Sequence, residues 1–307
     1  MANLGSTDLD VSRLCLGGNV FGWTADERGS FALLDAYVEA GGNFIDTADT
    51  YKRPNVGISE TIIGRWMRAR GNRDRLVIAT KVGGIGGLGA DNVRTRAEAS
   101  LQRLQTDRID LYYAHRDDSE RSVEEPLRAF DELVRAGKVR HLGASNFTAE
   151  RLAAALDASA REGLAAYAVL QPEYNLVERS HYEREYAPLL AARGLVSLPY
   201  YALAKGFLTG KYRPGGAKVE SARAEGASAY LDERGVAVLA ALDAVAAARA
   251  STPAAVAIAW LMAQPTVAAP IASARTTEQL RALLPVDGLT LGADELARLT
   301  AASAYDA

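Results

Sequence analysis

Four ionisable side chains of different chemistry, Asp46, Tyr51, Lys81 and His115, stand at related places in the chain. Asp46, Lys81 and His115 each end or directly follow a short apolar run: residues 43–46 (NFID), 76–81 (LVIATK) and 109–114 (IDLYYA). Tyr51 lies just beyond the first of these runs. A carboxylate, a phenol, an ammonium and an imidazole held together can share proton-transfer work. Each also has an ordinary structural reading. Asp46 can cap a loop, Tyr51 can pack, Lys81 can be an exposed strand end, and His115 can be a satisfied core histidine. Position separates the two readings. All four fall at matching ends of consecutive runs. Neighbouring strands lie about 5 Å apart, so side chains at those ends can converge on one point.

The elements that must position them repeat along the chain. Eight apolar runs read as strands, at residues 14–17, 43–46, 76–81, 109–114, 139–143, 167–171, 195–199 and 267–271. They lack clean alternation, as strands buried on both faces do. Amphipathic segments lie between them. Phe31, Leu34, Val38 and Ala40 mark an apolar face closed by Gly41 and Gly42. Leu127, Phe130, Leu133 and Val134 mark another, ended by Gly137. Asp91 is placed to cap a helix over 93–104, and Thr148 one over 150–160. Strand starts recur about every thirty residues, the length of one strand-plus-helix unit. Eight such units close a (β/α)8 TIM barrel of the α/β class, whose active sites sit at the C-terminal ends of the strands. One barrel domain is expected over residues 1–307. A small hairpin (about 3–13) would plug its floor, and a long loop (about 212–234) would precede the last units.

With 49% hydrophobic and 24% charged residues, the chain can build a large core and is not a disordered one. A net charge of −3, with Arg scattered among acids, gives no basic face for nucleic acid. The single cysteine, Cys15, allows no internal disulfide and fits a reducing compartment. The first ten residues lack a basic stretch followed by an apolar run, so no signal peptide is expected. Residues 254–262 are apolar but too short to span a bilayer. These features predict a soluble, cytoplasmic protein.

Several segments together resemble the aldo-keto reductase family. Residues 44–51 (FIDTADTY), with 57–60 (GISE) and 63–64 (IG), are similar to its first signature. Residues 80–82 (TKV) and 110–115 (DLYYAH) are similar to its next two catalytic segments, and 137–147 (GKVRHLGASNF) to the one that reaches the nicotinamide. Residues 171–175 (QPEYN), 206–212 (GFLTGKY) and 273–280 (SARTTEQL) also fit, so the resemblance covers nearly the whole chain in order.

The resemblance implies hydride transfer between NADP(H), preferred over NAD(H), and a small carbonyl or alcohol, with no metal, nucleic acid or membrane partner. Tyr51 would be the general acid. An ammonium ~4 Å away is worth roughly 4 kcal/mol at an effective dielectric near 20. At about 1.4 kcal/mol per unit, Lys81 would lower the Tyr51 pKa by a few units. Asp46 would keep Lys81 charged, and His115 would orient the carbonyl. Gly18, Asn19 and Asp46 would lie at the cofactor. Ser145, Asn146 and Gln171 would hold the nicotinamide carboxamide, with Tyr200 stacked on its ring. Ala202, Leu203, Lys205, Gly206, Gly210 and Lys211 would fold over the pyrophosphate. Ser273 and Arg275, before a helix starting near Thr276, would take the 2′-phosphate, unless Arg275 pairs with Glu278, and Gln279 would also lie at the cofactor. Phe21, Trp23, Tyr51, His115 and Arg116 would line the substrate pocket.

Some positions depart from the family's pattern. Tyr201 and Ala202 replace a Ser-Pro pair, Ala282 and Leu283 replace a Glu-Asn pair at the adenine, and the stretch 52–58 is short. Arg116 replaces an aromatic. It either makes the pocket more polar or pairs with Asp117 or Asp118. Two other readings remain open on the residues alone: a barrel lyase forming a Schiff base on Lys81, and a non-catalytic subunit that senses cofactor redox state.

Overall fold

The computed structural model describes residues 1–51 and 56–305. Two short strands, β1 (Ala2–Asn3) and β2 (Asp10–Val11), pair antiparallel as a hairpin. Eight parallel strands then form one curled sheet: β3 (Cys15–Gly17), β4 (Phe44–Asp46), β5 (Val77–Val82), β6 (Ile109–Ala114), β7 (Val139–Ser145), β8 (Tyr167–Gln171), β9 (Val196–Ser197) and β10 (Ile271–Ala272). Their order is β10-β3-β4-β5-β6-β7-β8-β9. The gap between β9 and β10 is bridged by backbone hydrogen bonds, Ser197 N to Thr266 O at 2.7 Å and Ile271 N to Pro199 O at 2.8 Å. The result is a (β/α)8 barrel.

The eighth strand is shorter and later than the run 267–271 predicts. Val267 meets Ser197 only as an isolated bridge, and the ladder to β3 begins at Ile271. Pro270, which has no N–H to give a ladder, separates the two pairings.

The outer helices follow their strands. They include α1 (Glu27–Glu39), α2 (Ile58–Arg70), α3 (Ala90–Leu104), α4 (Glu124–Arg135), α5 (Ala149–Glu162) and α6 (Ala187–Arg193). Thr148 caps α5, its side chain accepting from Arg151 N. Asp91 does not cap α3. That helix starts at Ala90 behind Gly89, and Asp91 sits in its first turn paired with Arg94. The face α1 buries is Ser30, Leu33, Leu34 and Tyr37, about one residue round from the predicted stripe. The Tyr37 hydroxyl explains the choice, because it bonds the strand backbone at Leu14 O (2.6 Å) and Phe44 O (2.9 Å).

Beyond β9, a long irregular segment contains only the short α7 (Ala224–Ser228) before α8 (Glu233–Ala248) and the wholly buried α9 (Pro253–Met262). α10 (Thr277–Arg281) and α11 (Ala293–Ala302) follow β10. Among the described residues, no single helix is long and apolar enough to cross a membrane.

Two separate cores sort the strand residues by period two. Leu4, Leu9 and Val11 of the hairpin region pack inside the barrel with Cys15, Phe44, Val77, Ala79, Leu111, Tyr113 and Val169. Their neighbours Leu16, Ile45, Ile78, Tyr112 and Leu170 face the helices. The strands are thus apolar on both sides, which hides the alternation from a hydropathy reading.

Candidate active site

The alternation that fills the barrel floor also sets what stands above it. Two residues beyond Phe44 is Asp46. Two beyond Ala79 is Lys81, two beyond Tyr113 is His115, and two beyond Val169 is Gln171. Each is therefore carried on the inward face at the C-terminal end of its strand. Tyr51 joins them from the loop after β4.

Lys81 is fully buried. Its ammonium donates to both carboxylate oxygens of Asp46, to Thr47 O at 2.6 Å and to the Tyr51 hydroxyl oxygen at 3.0 Å. An ammonium has three donors, so all are engaged. Burial pulls the Lys81 pKa down, but Asp46 and Tyr51 outweigh it and hold the group above the ordinary lysine range. A Schiff-base lysine must be neutral to attack, so this surrounding argues against the lyase reading.

The effect on Tyr51 is opposite to the sequence expectation. Burial is the largest influence. With help from the Asp46 charge it outweighs Lys81 and pushes the phenol up to about 12. Tyr51 is therefore a firmly protonated donor rather than a phenol half-ionised near neutrality. The His115 ring stands edge-on to Tyr51, centroids 6.1 Å apart. Burial first, then the Lys81 and Arg116 charges, pull His115 down to about 3, so its imidazole is neutral at physiological pH. Its Nδ1 is 3.5 Å from the Thr50 hydroxyl. A Cβ at Gly84 would lie 2.7 Å from Thr50 Oγ1 and 3.3 Å from that ring nitrogen, so glycine keeps the space open.

Above this group lies a cavity of about 660 Å³. Ser145, Asn146 and Gln171 stand on its wall, at the ends of β7 and β8. The Ser145 hydroxyl donates to Gln171 O (2.8 Å), and the Gln171 amide to Asp46 (3.3 Å). Asn146 donates to His115 O (2.8 Å) and accepts from the Tyr200 hydroxyl (2.9 Å). Asn19, Ala202, Leu203, Lys205 and Gly206 also line the cavity, as do Trp23 and Arg116. Ala282 and Leu283 are on its wall too.

Four predicted site residues do not line it: Lys81, buried beneath Asp46 and Tyr51, and three others. Phe21 is fully buried in the core between strands and helices. Gly18 sits behind the wall against Ser59, and its place is taken by Gly17. Gly210 ends the turn Ala204–Thr209, leaving Lys211 to face the cavity.

At the far end Lys211, Ser273, Arg275 and Gln279 line the cavity. Arg275 does not pair with Glu278, and neither Arg275 nor Lys211 has an ion pair among the described residues. Partial burial, then the Arg275 charge, lowers the Lys211 pKa. The helix after Arg275 is only five residues long. Of its first-turn donors Gln279 N is taken by the Thr276 hydroxyl (3.2 Å), and Arg275 N, just before the cap, bonds the Gln279 side chain (3.0 Å). Full charge at this end therefore comes from side chains rather than from the helix terminus.

The wall also holds residues that sequence reasoning missed: Thr24, Thr209, Ser221, Ala222, Arg223 and Thr252. Arg223 lies 5.6 Å from the Trp23 ring and 5.7 Å from the Tyr201 ring. It comes from the long segment before α8, where no periodicity marks it. The expectation of a short loop after Tyr51 falls partly on residues 52–55, outside the described residues.

Known proteins share this arrangement of sequence. The chain is 36% identical over 291 residues to the uncharacterized oxidoreductase YrpG of Bacillus subtilis, covering 91% of this chain and 88% of that one. It is 35% identical to the norsolorinic acid reductase stcV of Emericella nidulans (93% of this chain, 76% of that one). It is 34% identical to the protein tas of Escherichia coli (96% and 95%). The model of the aldo/keto reductase family matches residues 13–304. With its barrel, its strand-end residues and a match of this extent, the chain belongs to the aldo/keto reductase family, whose members are oxidoreductases acting on carbonyls.

Proposed function

We propose that this protein is a cytoplasmic NADPH-dependent carbonyl reductase with Tyr51 as its general acid. The observation that carries the reading is a protonated Tyr51 hydroxyl 3.0 Å from the charged Lys81, at the base of a cavity whose far end holds cations with no ion pair among the described residues.

The cavity fits the cofactor. A Cβ at Gly17 would meet Ser273 Oγ at 2.5 Å, so the wall is cut back where Asn19 and Ser273 join (2.8 Å). Amide and hydroxyl groups stand near Tyr51, and at the other end stand two cations, Lys211 and Arg275, that have no ion pair among the described residues. Ser145, Asn146 and Gln171 would hold the carboxamide. Tyr200 would stack on the ring, Lys205 and Lys211 would take the pyrophosphate, and Arg275 with Ser273 the 2′-phosphate. A nicotinamide held by these residues would supply the hydride, chemistry that no side chain provides.

The chain's own residues manage the proton. Tyr51 keeps its proton until negative charge builds on the carbonyl oxygen, then donates it. Lys81, already 3.0 Å from the phenol oxygen, stabilises the phenolate left behind. Asp46 fixes Lys81 as an ammonium. Its negative charge also opposes the phenolate, so Lys81 acts with part of its field spent. Neutral His115 orients the carbonyl by a hydrogen bond without adding charge. The test is loss of NADPH absorbance with a panel of aldehydes, ketones and sugars that includes a nitrobenzaldehyde. Turnover of the reactive aldehyde is expected. No turnover with any compound overturns this reading in favour of a cofactor-sensing subunit.

A further inference from the structure

Two of the cavity's cations stand outside the segments assigned to the cofactor's phosphates. Five cations line the cavity: Arg116, Lys205, Lys211, Arg223 and Arg275. Among the described residues its one acid is Asp46, and that carboxylate is engaged by Lys81. Lys205, Lys211 and Arg275 belong to the two segments assigned to the phosphates. Arg116 and Arg223 do not. Arg116 directly follows His115, and its charge bears on both His115 and Tyr200, so it stands beside the reacting end. Arg223 reaches the cavity from the segment before α7 and lies against Trp23 and Tyr201.

Neither guanidinium is neutralised. Most arginines of this chain are in ion pairs, and the acids nearest Arg116 show how complete that pairing is. Asp117 is held by Arg151 through two bonds of 2.8 and 2.9 Å. Asp118 is held by Arg121 at 3.1 Å. Both potential partners of Arg116 are thus engaged by other arginines, and among the described residues neither Arg116 nor Arg223 has an ion pair. The contacts of Arg223 with Trp23 and Tyr201 are to ring faces. A guanidinium held on aromatic faces keeps the N–H donors of its planar fork for an anion. Arg223 on the Trp23 and Tyr201 rings and Arg116 next to His115 thus put two guanidinium groups on the cavity wall.

We propose that the substrates are planar, aromatic carbonyl compounds bearing a carboxylate, which Arg116 and Arg223 hold while the carbonyl oxygen lies at Tyr51. The inference rests on the reductase reading above and gives it a substrate class.

Three para-substituted benzaldehydes of similar shape test it: 4-carboxybenzaldehyde, its methyl ester, and 4-trimethylammoniobenzaldehyde. The ester group withdraws electrons more strongly than the carboxylate, so intrinsic reactivity favours the ester. A preference for the carboxylate must therefore come from the protein. The expected kcat/KM is larger for the carboxylate than for the ester by roughly ten- to 150-fold, the worth of one charge-assisted hydrogen bond, and lowest for the cation. The ratio should shrink between 0.05 and 1 M salt, where the screening length falls to about 3 Å. Arg116→Gln and Arg223→Gln should each reduce the carboxylate-to-ester ratio, and Arg→Lys at either position should restore part of it, since charge returns without the fork. Because each ratio is taken within one protein, partial misfolding of a variant cancels. Equal or better turnover of the ester overturns this inference and leaves the reductase reading standing. So does a carboxylate preference that survives both Gln variants. No turnover of any of the three overturns this inference, and the reductase reading falls with it only if the whole carbonyl panel, the nitrobenzaldehyde included, is inert as well.

Discussion

At the Tyr51 end of the cavity, Lys81 is surrounded by acceptors. At the far end, Lys211 and Arg275 stand near each other with no carboxylate among the described residues to separate them. The backbone differs too. The tetrad stands on or beside regular strand ends, held by the ladders β4–β5 and β5–β6. The opposite wall contains Tyr201 and Lys205, non-glycine residues at φ of 51° and 58°, a conformation that costs about 1–3 kcal/mol and clusters at ligand sites; on the tetrad side only Asn146, which bonds His115 O, shares it. A proton-handling group works best when its geometry is complete before substrate arrives. An anion site works best when its charges are left waiting. The fold satisfies one region and leaves the other unsatisfied.

Removing the proton from the satisfied end should have the largest effect. Tyr51→Phe keeps the ring and loses only the hydroxyl. Turnover with a good aldehyde should fall by about 10²–10⁴-fold, while NADPH affinity, measured by quenching of tryptophan fluorescence, stays within threefold. A turnover within threefold of wild type would show that another group donates.

Breaking the buried pair should come next, and should appear in stability as well as in rate. Asp46→Asn leaves the Lys81 ammonium buried without its anion, a change that typically costs about 3–5 kcal/mol. Urea unfolding of the cofactor-free protein should show that loss. The double variant Asp46→Asn/Lys81→Met should recover much of it, because the stranded charge is gone. A single variant as stable as wild type would mean that Thr47 and Tyr51 suffice to hold the ammonium.

The two regions were not equally legible from sequence. The tetrad was readable because its members end buried runs, and strand ends align in a barrel whatever the loops do. The shift on Tyr51 was not, because the count of neighbouring charges is visible in sequence and burial is not. Here burial decides the sign. Strand β10 was misplaced because residues 267–269 are apolar enough for a strand, yet they touch β9 only through a bridge before Pro270. Phe21 looked like a pocket aromatic from its place after β3, but the 3₁₀ turn Gly18–Val20 ahead of it turns the ring into the core. Arg223 was invisible for the opposite reason. It lies in a stretch with neither period nor motif, and only the path of that segment across the barrel mouth brings it to Trp23.

The unsatisfied end gives a smaller, selective effect. Arg275→Ala should weaken NADPH by more than tenfold and NADH little, since a charge-assisted hydrogen bond contributes roughly 1.5–3 kcal/mol and only NADPH has the 2′-phosphate. α10 is only five residues long, so its terminus offers partial charges at most and does not replace the full charge that is lost. The difference should narrow as salt rises. Fluorescence titration with both cofactors measures it, and equal losses would assign Arg275 to the fold.

The smallest effect is a pH slope at the boundary of the satisfied end. In the folded protein His115 is pulled down to about 3, from an ordinary value of 6.5. The unfolded chain therefore takes up a proton as pH falls through 6.5, and the folded chain does not. Stability contributed by neutral His115 is full above that value and is lost progressively as pH drops toward 3. The slope from this one group is at most about 1.4 kcal/mol per pH unit. His115→Gln, which cannot titrate, should flatten the fall in unfolding free energy between pH 6.5 and 5. Asp49, pushed up to about 6 by burial and the Glu60 charge, changes in the same window with the opposite sign, so the His115 contribution is read from the difference between wild type and the variant. The same shift predicts that kcat/KM shows no His115 limb between pH 6 and 8. An unchanged stability slope in the variant, together with an ionisation near 6.5 in the wild-type rate profile, would mean that His115 is protonated in the working enzyme and contributes charge to the carbonyl oxygen.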